Sequence, residues 1–160
     1  MRLYFLRHGL AADPGEWQGA DADRPLTDEG RERIGLEAKA IALLEPALDA
    51  IVTSPLARAR QTAGLVALRL GVPVSDDARH GHDFDRERLA QIVRENEDAQ
   101  ALMLVGHEPT FSSTIAALIG GGAVAMKKGG LARVDLADAS AIRGVLVWLL
   151  VPKVLLALRR

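Results

Sequence analysis

The chain has 160 residues, with 20 Lys and Arg against 21 Asp and Glu, and it contains no cysteine. This length suits one domain with a sizeable core, and a net charge of -1 gives no general attraction to nucleic acid or anionic membranes. The lack of cysteine excludes disulfides, thiolate nucleophiles and Cys-based zinc sites, and it is compatible with the cytoplasm. From cysteine content and charge together, we expect a cytoplasmic protein that binds neither nucleic acid nor membrane.

The first predicted element is a strand at residues 3–6, an apolar run too short for a signal peptide. Arg7, His8 and Gly9 follow it directly. In open α/β sheets, ligands bind just beyond the carboxyl ends of the strands. Arginine suits phosphate oxygens, histidine can act as a nucleophile, and we expect Gly9 to let an anion approach the main chain.

Predicted helices and strands alternate along the rest of the chain. A first helix is predicted from Thr27, as N-cap, to about residue 45, and a second around Arg58 that ends before Gly71. Two further helices are predicted at 86–96 and 109–119. Strands are predicted at 48–53, 72–74, 101–105, 131–136 and 144–150. This alternation predicts one domain, residues 1–160, built on a layered α/β sheet covered on both faces.

The most apolar segment, residues 144–158, contains a proline and a lysine near its middle. It falls short of the roughly 20 residues that a membrane-spanning helix needs. We therefore expect a buried last strand followed by a packed tail.

Two predicted strands end in a histidine next to a glycine, at His8 and at His107. Arg58 lies in the first turn of a helix that also follows a strand, and helix N-termini favour anions. Together with Arg7, these side chains suit phosphoryl transfer: three could hold the equatorial oxygens while one imidazole attacks phosphorus. Nearby positive charge keeps an imidazole neutral, and because the arginines supply that charge, no metal or cofactor is expected.

Four stretches, in order, resemble the histidine phosphatase superfamily, also called phosphoglycerate mutase-like: LRHG (6–9), RPLTDEG (24–30), SPLARARQTA (54–63) and LVGHEP (104–109). The short chain and its two-strand ending are similar to the SixA-type branch. The resemblance implies a three-layer α/β/α sandwich with a central, mostly parallel sheet. It also implies that His8 is transiently phosphorylated and that Arg7, Arg58 and His107 bind the phosphate. Side chains two residues apart, such as Arg58 and Arg60, point away from each other on a helix. The resemblance selects Arg58 as the one that binds phosphate.

The activity that the resemblance implies is a metal-independent phosphohistidine phosphatase acting on a phosphorylated protein such as a histidine phosphotransfer domain. An alternative is a small-molecule phosphomonoesterase, or less readily a phosphosugar mutase, which needs more enclosure than so short a chain offers. A non-catalytic phosphate-recognition module would keep the arginines without needing a nucleophile.

Many members of the family use a carboxylic acid from the segment before His107 to protonate the leaving group. Asp83 and Asp85 are candidates here, but no local pattern selects either, and imidazole is a better leaving group than an alkoxide. The run HGHD at 80–83 contains two histidines without a third well-placed ligand, which favours an exposed polar loop over a metal site.

Overall fold

Strands and helices alternate in the computed structural model, which describes residues 1–138 and 142–158. The strands are β1 (Arg2–Arg7), β2 (Ala50–Thr53), β3 (Val74–Asp76), β4 (Ala101–Gly106), β5 (Leu131–Asp138) and β6 (Arg143–Leu150). The helices are α1 (Asp28–Leu43), α2 (Ala57–Leu70), α3 (Arg86–Glu95), α4 (Thr110–Leu118) and α5 (Pro152–Ala157). A short 3-10 turn, Asp21–Asp23, lies between β1 and α1.

All six strands form one sheet, in the order β3-β2-β4-β1-β5-β6. β3, β2, β4 and β1 run parallel, whereas β5 and β6 are antiparallel to their neighbours. The expected mostly parallel sheet is therefore confirmed. β4 lies between β1 and β2, so the carboxyl ends of these three strands meet at one edge of the sheet.

Helices cover both faces of the sheet and enclose two hydrophobic cores. Leu3 and Phe5 of β1 point to the core formed with α3 and α4. Tyr4 and Leu6 of the same strand point to the core formed with α1, α2 and α5. Because successive side chains of a strand alternate between its faces, the buried residues 3–6 of this strand can fill both cores. The expected three-layer α/β/α sandwich is confirmed.

The start of α1 agrees with the sequence prediction. The Thr27 hydroxyl accepts a hydrogen bond of 3.0 Å from the Gly30 amide, which satisfies one of the free donors at the helix start. Asp28 and Glu29 in the first turn add favourable interactions with the helix dipole. Capping and charge within a few residues therefore determine where this helix begins.

Two strand predictions need correction. The third strand lies at Val74–Asp76 rather than 72–74, because Val74 pairs with Ile51 and the exposed edge strand carries polar residues. The last strand, β6, is not buried: it pairs only with β5, and Val145 and Val147 are exposed. Apolar residues occupy both of its faces, so hydrophobicity alone could not show which face is solvated.

The predicted packed tail is the helix α5, which packs against α1 and buries Leu155 completely. Within the described ranges, no helix combines the length and the apolar character that crossing a lipid bilayer requires.

Glu37 lies on the buried face of α1 with 2% of its surface exposed. Burial raises the pKa of its carboxyl to about 7. The folded protein then keeps a proton that the unfolded chain releases nearer pH 4, so this group lowers folding stability as the pH rises through 7. We expect Glu37→Gln to raise the free energy of unfolding by up to about 3 kcal/mol at about pH 8, and by much less near pH 5.

Urea unfolding across this pH range measures the effect. Glu32→Gln is the matched control, since Glu32 is exposed on the same helix. Parallel pH profiles for the Glu37 variant and the parent protein would contradict the prediction.

Candidate active site

The carboxyl ends of β2, β4 and β1 bring three polar residues together. Ser54, His107 and His8 each follow one of these strands directly. Backbone hydrogen bonds continue past the strand ends, from the His8 amide to the Gly106 carbonyl (3.0 Å) and from the Ser54 amide to the Val105 carbonyl (2.9 Å). The two histidines therefore directly follow neighbouring strands.

His8 is held in one defined tautomer. Its Nδ1 lies 2.7 Å from the Gly9 carbonyl oxygen, which can only accept, so Nδ1 carries the proton and Nε2 keeps a free lone pair. Burial, and then the positive charges of Arg58, Arg7 and Lys128, lower the pKa of His8 to about 4, although the bond to Gly9 opposes this shift. The ring is therefore neutral at neutral pH.

His107 lies beside His8, with 5.1 Å between the ring centroids. Its Nε2 is 2.7 Å from the Ser54 hydroxyl, which ties the ends of β4 and β2 together. Burial, followed by the charges of His8 and Arg58, lowers the pKa of His107 to about 2. Ser54 was not singled out from the sequence, although it opens the ten-residue stretch that resembles the family.

Two arginines near the start of α2 have different environments. Arg58 is 3% exposed and points to the site, whereas Arg60 points outward and pairs with Asp76 at 3.2 Å. This confirms the prediction that one of them faces solvent. The Arg58 guanidinium donates to the Asp21 carbonyl (2.9 Å) and to the Asp21 carboxylate (3.0 Å).

Asp21, in the 3-10 turn, is a residue that the sequence analysis missed. Its carboxylate also accepts a hydrogen bond of 2.9 Å from Nε of Arg24. Burial alone would raise the pKa of Asp21, but the hydrogen bonds from Arg24 and Arg58 outweigh burial and hold it below its usual value. The carboxylate is therefore ionised and holds the Arg58 guanidinium in one position through hydrogen bonding.

Arg7 is fixed by the loop before β5. Its guanidinium donates to the Met126 carbonyl at 2.7 Å. The Gly129 amide lies within hydrogen-bond distance of the carbonyls of Arg7 (3.0 Å) and His8 (3.2 Å). The positive charge of Arg7 is thus held near His8.

Two further residues of α2 hold the loop that follows β1. The Thr62 hydroxyl donates to the Arg58 carbonyl (2.8 Å) and accepts from the Gly9 amide (3.2 Å). The Gln61 side chain accepts from the Leu26 amide at 2.8 Å. The matched stretch therefore orients the loop as well as supplying Arg58.

Gly9 also has a packing role that the sequence did not indicate. A Cβ atom there would lie 2.6 Å from the Ile34 side chain of α1, closer than real Cβ contacts come. The glycine therefore allows close packing of α1 on this loop.

The loop of residues 80–83 is only partly the exposed polar loop that was predicted. His80 is 1% exposed, with its ring stacked on Phe111 at 5.3 Å, and burial lowers its pKa to about 4. His82 is exposed, and its ring centroid lies 5.9 Å from that of His107. Among the described residues, no three His, Asp or Glu side chains are grouped to hold a metal ion.

Both carboxylic acids considered from the sequence interact with Arg88 of α3. The Asp85 side chain caps α3 by accepting from the Arg88 amide at 2.9 Å. The Asp83 side chain is 85% exposed and lies 3.6 Å from the Arg88 guanidinium.

A neutral imidazole with a free nitrogen, flanked by two guanidinium groups and a second imidazole, is suited to binding a tetrahedral oxyanion. The fold and these side chains therefore define an α/β protein with an oxyanion site at the carboxyl edge of its sheet.

Comparisons with known proteins identify the family. The sequence profile of the histidine phosphatase superfamily (branch 1) matches residues 3–80. An uncharacterized protein of Picosynechococcus is 38% identical over 118 residues, which are 68% of this chain and 67% of the relative. Glucosyl-3-phosphoglycerate phosphatase of Mycolicibacterium vanbaalenii is 40% identical over 79 residues, covering 49% of this chain and 34% of the relative.

The protein histidine phosphatase SixA, solved as a tungstate complex, has the same fold, with a TM-score of 0.85 and 24% identity. That comparison covers 96% of this chain and 98% of the SixA chain. The chain belongs to the histidine phosphatase superfamily, as a phosphatase with the SixA-type fold.

Proposed function

We propose that this phosphatase removes phosphate from phosphohistidine on another protein, through a phosphorylated His8 and without a metal ion. The observation that carries the proposal is the fixed tautomer of His8. Its Nδ1 proton is hydrogen-bonded to the Gly9 carbonyl, so the lone pair of Nε2 is free in a site with Arg7, Arg58 and His107 nearby.

In the first half-reaction, His8 Nε2 attacks phosphorus and the bond to the substrate nitrogen breaks. The negative charge on the equatorial oxygens is stabilised by the two guanidinium groups and the His107 ring. In the second half-reaction, water attacks phosphorus and the P–Nε2 bond breaks, which releases inorganic phosphate and restores neutral His8. The arginines supply the positive charge that a metal would otherwise provide.

A short connection between α2 and β4 favours a protein-borne phosphohistidine. This segment contains only β3, α3 and the loops that join them, which leaves little chain for a separate lid domain. The fold is that of SixA, a protein histidine phosphatase. A phosphoramidate nitrogen also leaves more readily than an alkoxide, which suits a site in which Asp83 and Asp85 are engaged elsewhere.

The test is phosphate release from a phosphorylated histidine phosphotransfer domain. We expect hydrolysis well above that of the His8→Ala variant, with less activity toward a phosphoserine peptide. Release no faster than with His8→Ala would overturn the proposal.

A small-molecule phosphomonoesterase is the second candidate. A cavity of about 610 Å³ borders Arg7 and Gly9, with Arg33, Lys127, Lys128 and Lys153 among its lining residues. Cavities of this size hold small ligands, and these cations could bind the anionic remainder of a small phosphoester. Turnover of a panel of phosphorylated metabolites with higher kcat/KM than for the phosphoprotein would favour this function.

A further inference from the structure

We propose that His82 is a catalytic residue that protonates the leaving group, a role that rests on the proposed phosphorylation of His8. His82 belongs to the loop between β3 and α3. Its ring centroid lies 5.9 Å from that of His107, and its Nε2 lies 3.7 Å from the Asp21 carboxylate. The loop thus brings an imidazole and a fixed carboxylate to the mouth of the pocket.

The three imidazoles are arranged from the floor of the site to its mouth. The His8 and His107 rings are buried and 5.1 Å apart, whereas the side chain of His82 is 67% exposed. In-line displacement places the leaving atom on the side of phosphorus opposite His8 Nε2. Because His8 and His107 are buried, the leaving group of a protein substrate must lie on the solvent side of the site, where His82 is exposed.

A carboxylate that is held in place by two arginines faces His82. The Asp21 carboxylate, in the 3-10 turn, lies 3.7 Å from Nε2 of His82 and can orient the ring. Asp21 is itself held by Arg24 and Arg58. Within the loop, Asp83 pairs with Arg88, and His107 opposite His82 is kept neutral by burial.

The proton balance closes over one turnover. As the P–O or P–N bond of the substrate breaks, its electron pair goes to the leaving atom, which takes a proton from the His82 imidazolium. In the second half-reaction, neutral His82 takes a proton from the attacking water, while the P–Nε2 electron pair returns to His8. The products are the protonated leaving group and inorganic phosphate, and His82 is again an imidazolium.

The test compares His82→Gln with the parent protein on phosphoesters whose leaving groups differ in basicity. For an alkyl phosphate, which leaves as a basic alkoxide, we expect kcat to fall by about 100-fold or more. For p-nitrophenyl phosphate, whose leaving group needs no proton, we expect a change of less than about 5-fold. A merely structural role would lower both rates equally.

Asp83→Asn is the matched control, because Asp83 is the next residue in the loop and is exposed. Equal losses on both substrates, or no loss on the alkyl phosphate, would overturn the role of His82. Labelling of His8 with p-nitrophenyl phosphate separates the two proposals. A labelled His8 in both proteins without leaving-group dependence refutes only the His82 role, whereas a parent protein that a phosphorylated histidine phosphotransfer domain also leaves unlabelled refutes the proposed function.

Discussion

Replacing His8 by alanine is expected to lower turnover by at least about 1000-fold, because it removes the nucleophile itself. The His8 ring is already neutral and oriented before substrate binds, through its bond to the Gly9 carbonyl. Steady-state hydrolysis measures the loss. Mass spectrometry of the acid-sensitive phosphoenzyme should locate one phosphoryl group on His8 in the parent protein and none in the variant.

The variant also separates catalysis from phosphate binding. Arg7, Arg58 and His107 remain in His8→Ala, so inorganic phosphate or vanadate should still bind. A variant that keeps its turnover, or a phosphoryl group found on His107 in the parent protein, would rule out His8 as the nucleophile. A parent protein that binds phosphate without ever becoming labelled would favour a recognition module.

Replacing Arg58 by lysine is expected to lower kcat/KM by about 100-fold or more, although the positive charge is kept. The guanidinium presents several donors in a plane, and the structure uses two of its nitrogens on Asp21 alone. A lysine ammonium is a point charge that cannot hold Asp21 and phosphate oxygens in the same geometry.

Arg60→Lys is the matched control, two residues further along α2. Arg60 points to solvent and pairs with Asp76, so the same chemical change there should leave kcat/KM within about 2-fold, since surface ion pairs contribute little. Equal losses in the two variants, or an unaffected Arg58→Lys, would show that Arg58 does not act on the phosphate.

Much of the fold was accessible from local patterns. The apolar strand at Arg2–Arg7 and the capped helix that begins at Asp28 were predicted close to their observed bounds. The inward direction of one arginine on α2 followed from helix geometry together with the family resemblance. These features depend on residues that are near one another in the chain, so they can be predicted without knowing the tertiary contacts.

Features that depend on distant partners were missed. His80 and His82 are two residues apart, yet one is buried against Phe111 and the other faces Asp21. The close packing of Ile34 of α1 on Gly9 could not be read from the sequence either. The exposure of Val145 and Val147 follows from the position of β6 at the sheet edge. The apolar residues on both faces of this strand could not indicate that position.

The family and the layered α/β architecture were predictable from the amino-acid sequence, as was the candidate set Arg7, His8, Arg58 and His107, because short motifs carry that information. The folded chain was needed to show that β1 and β4 are neighbours, which His8 nitrogen is free, and that Asp21 contacts Arg58 while Ser54 contacts His107. The physical reason is that tautomers, burial and ion pairing are set by atoms that come together only when the strand ends meet.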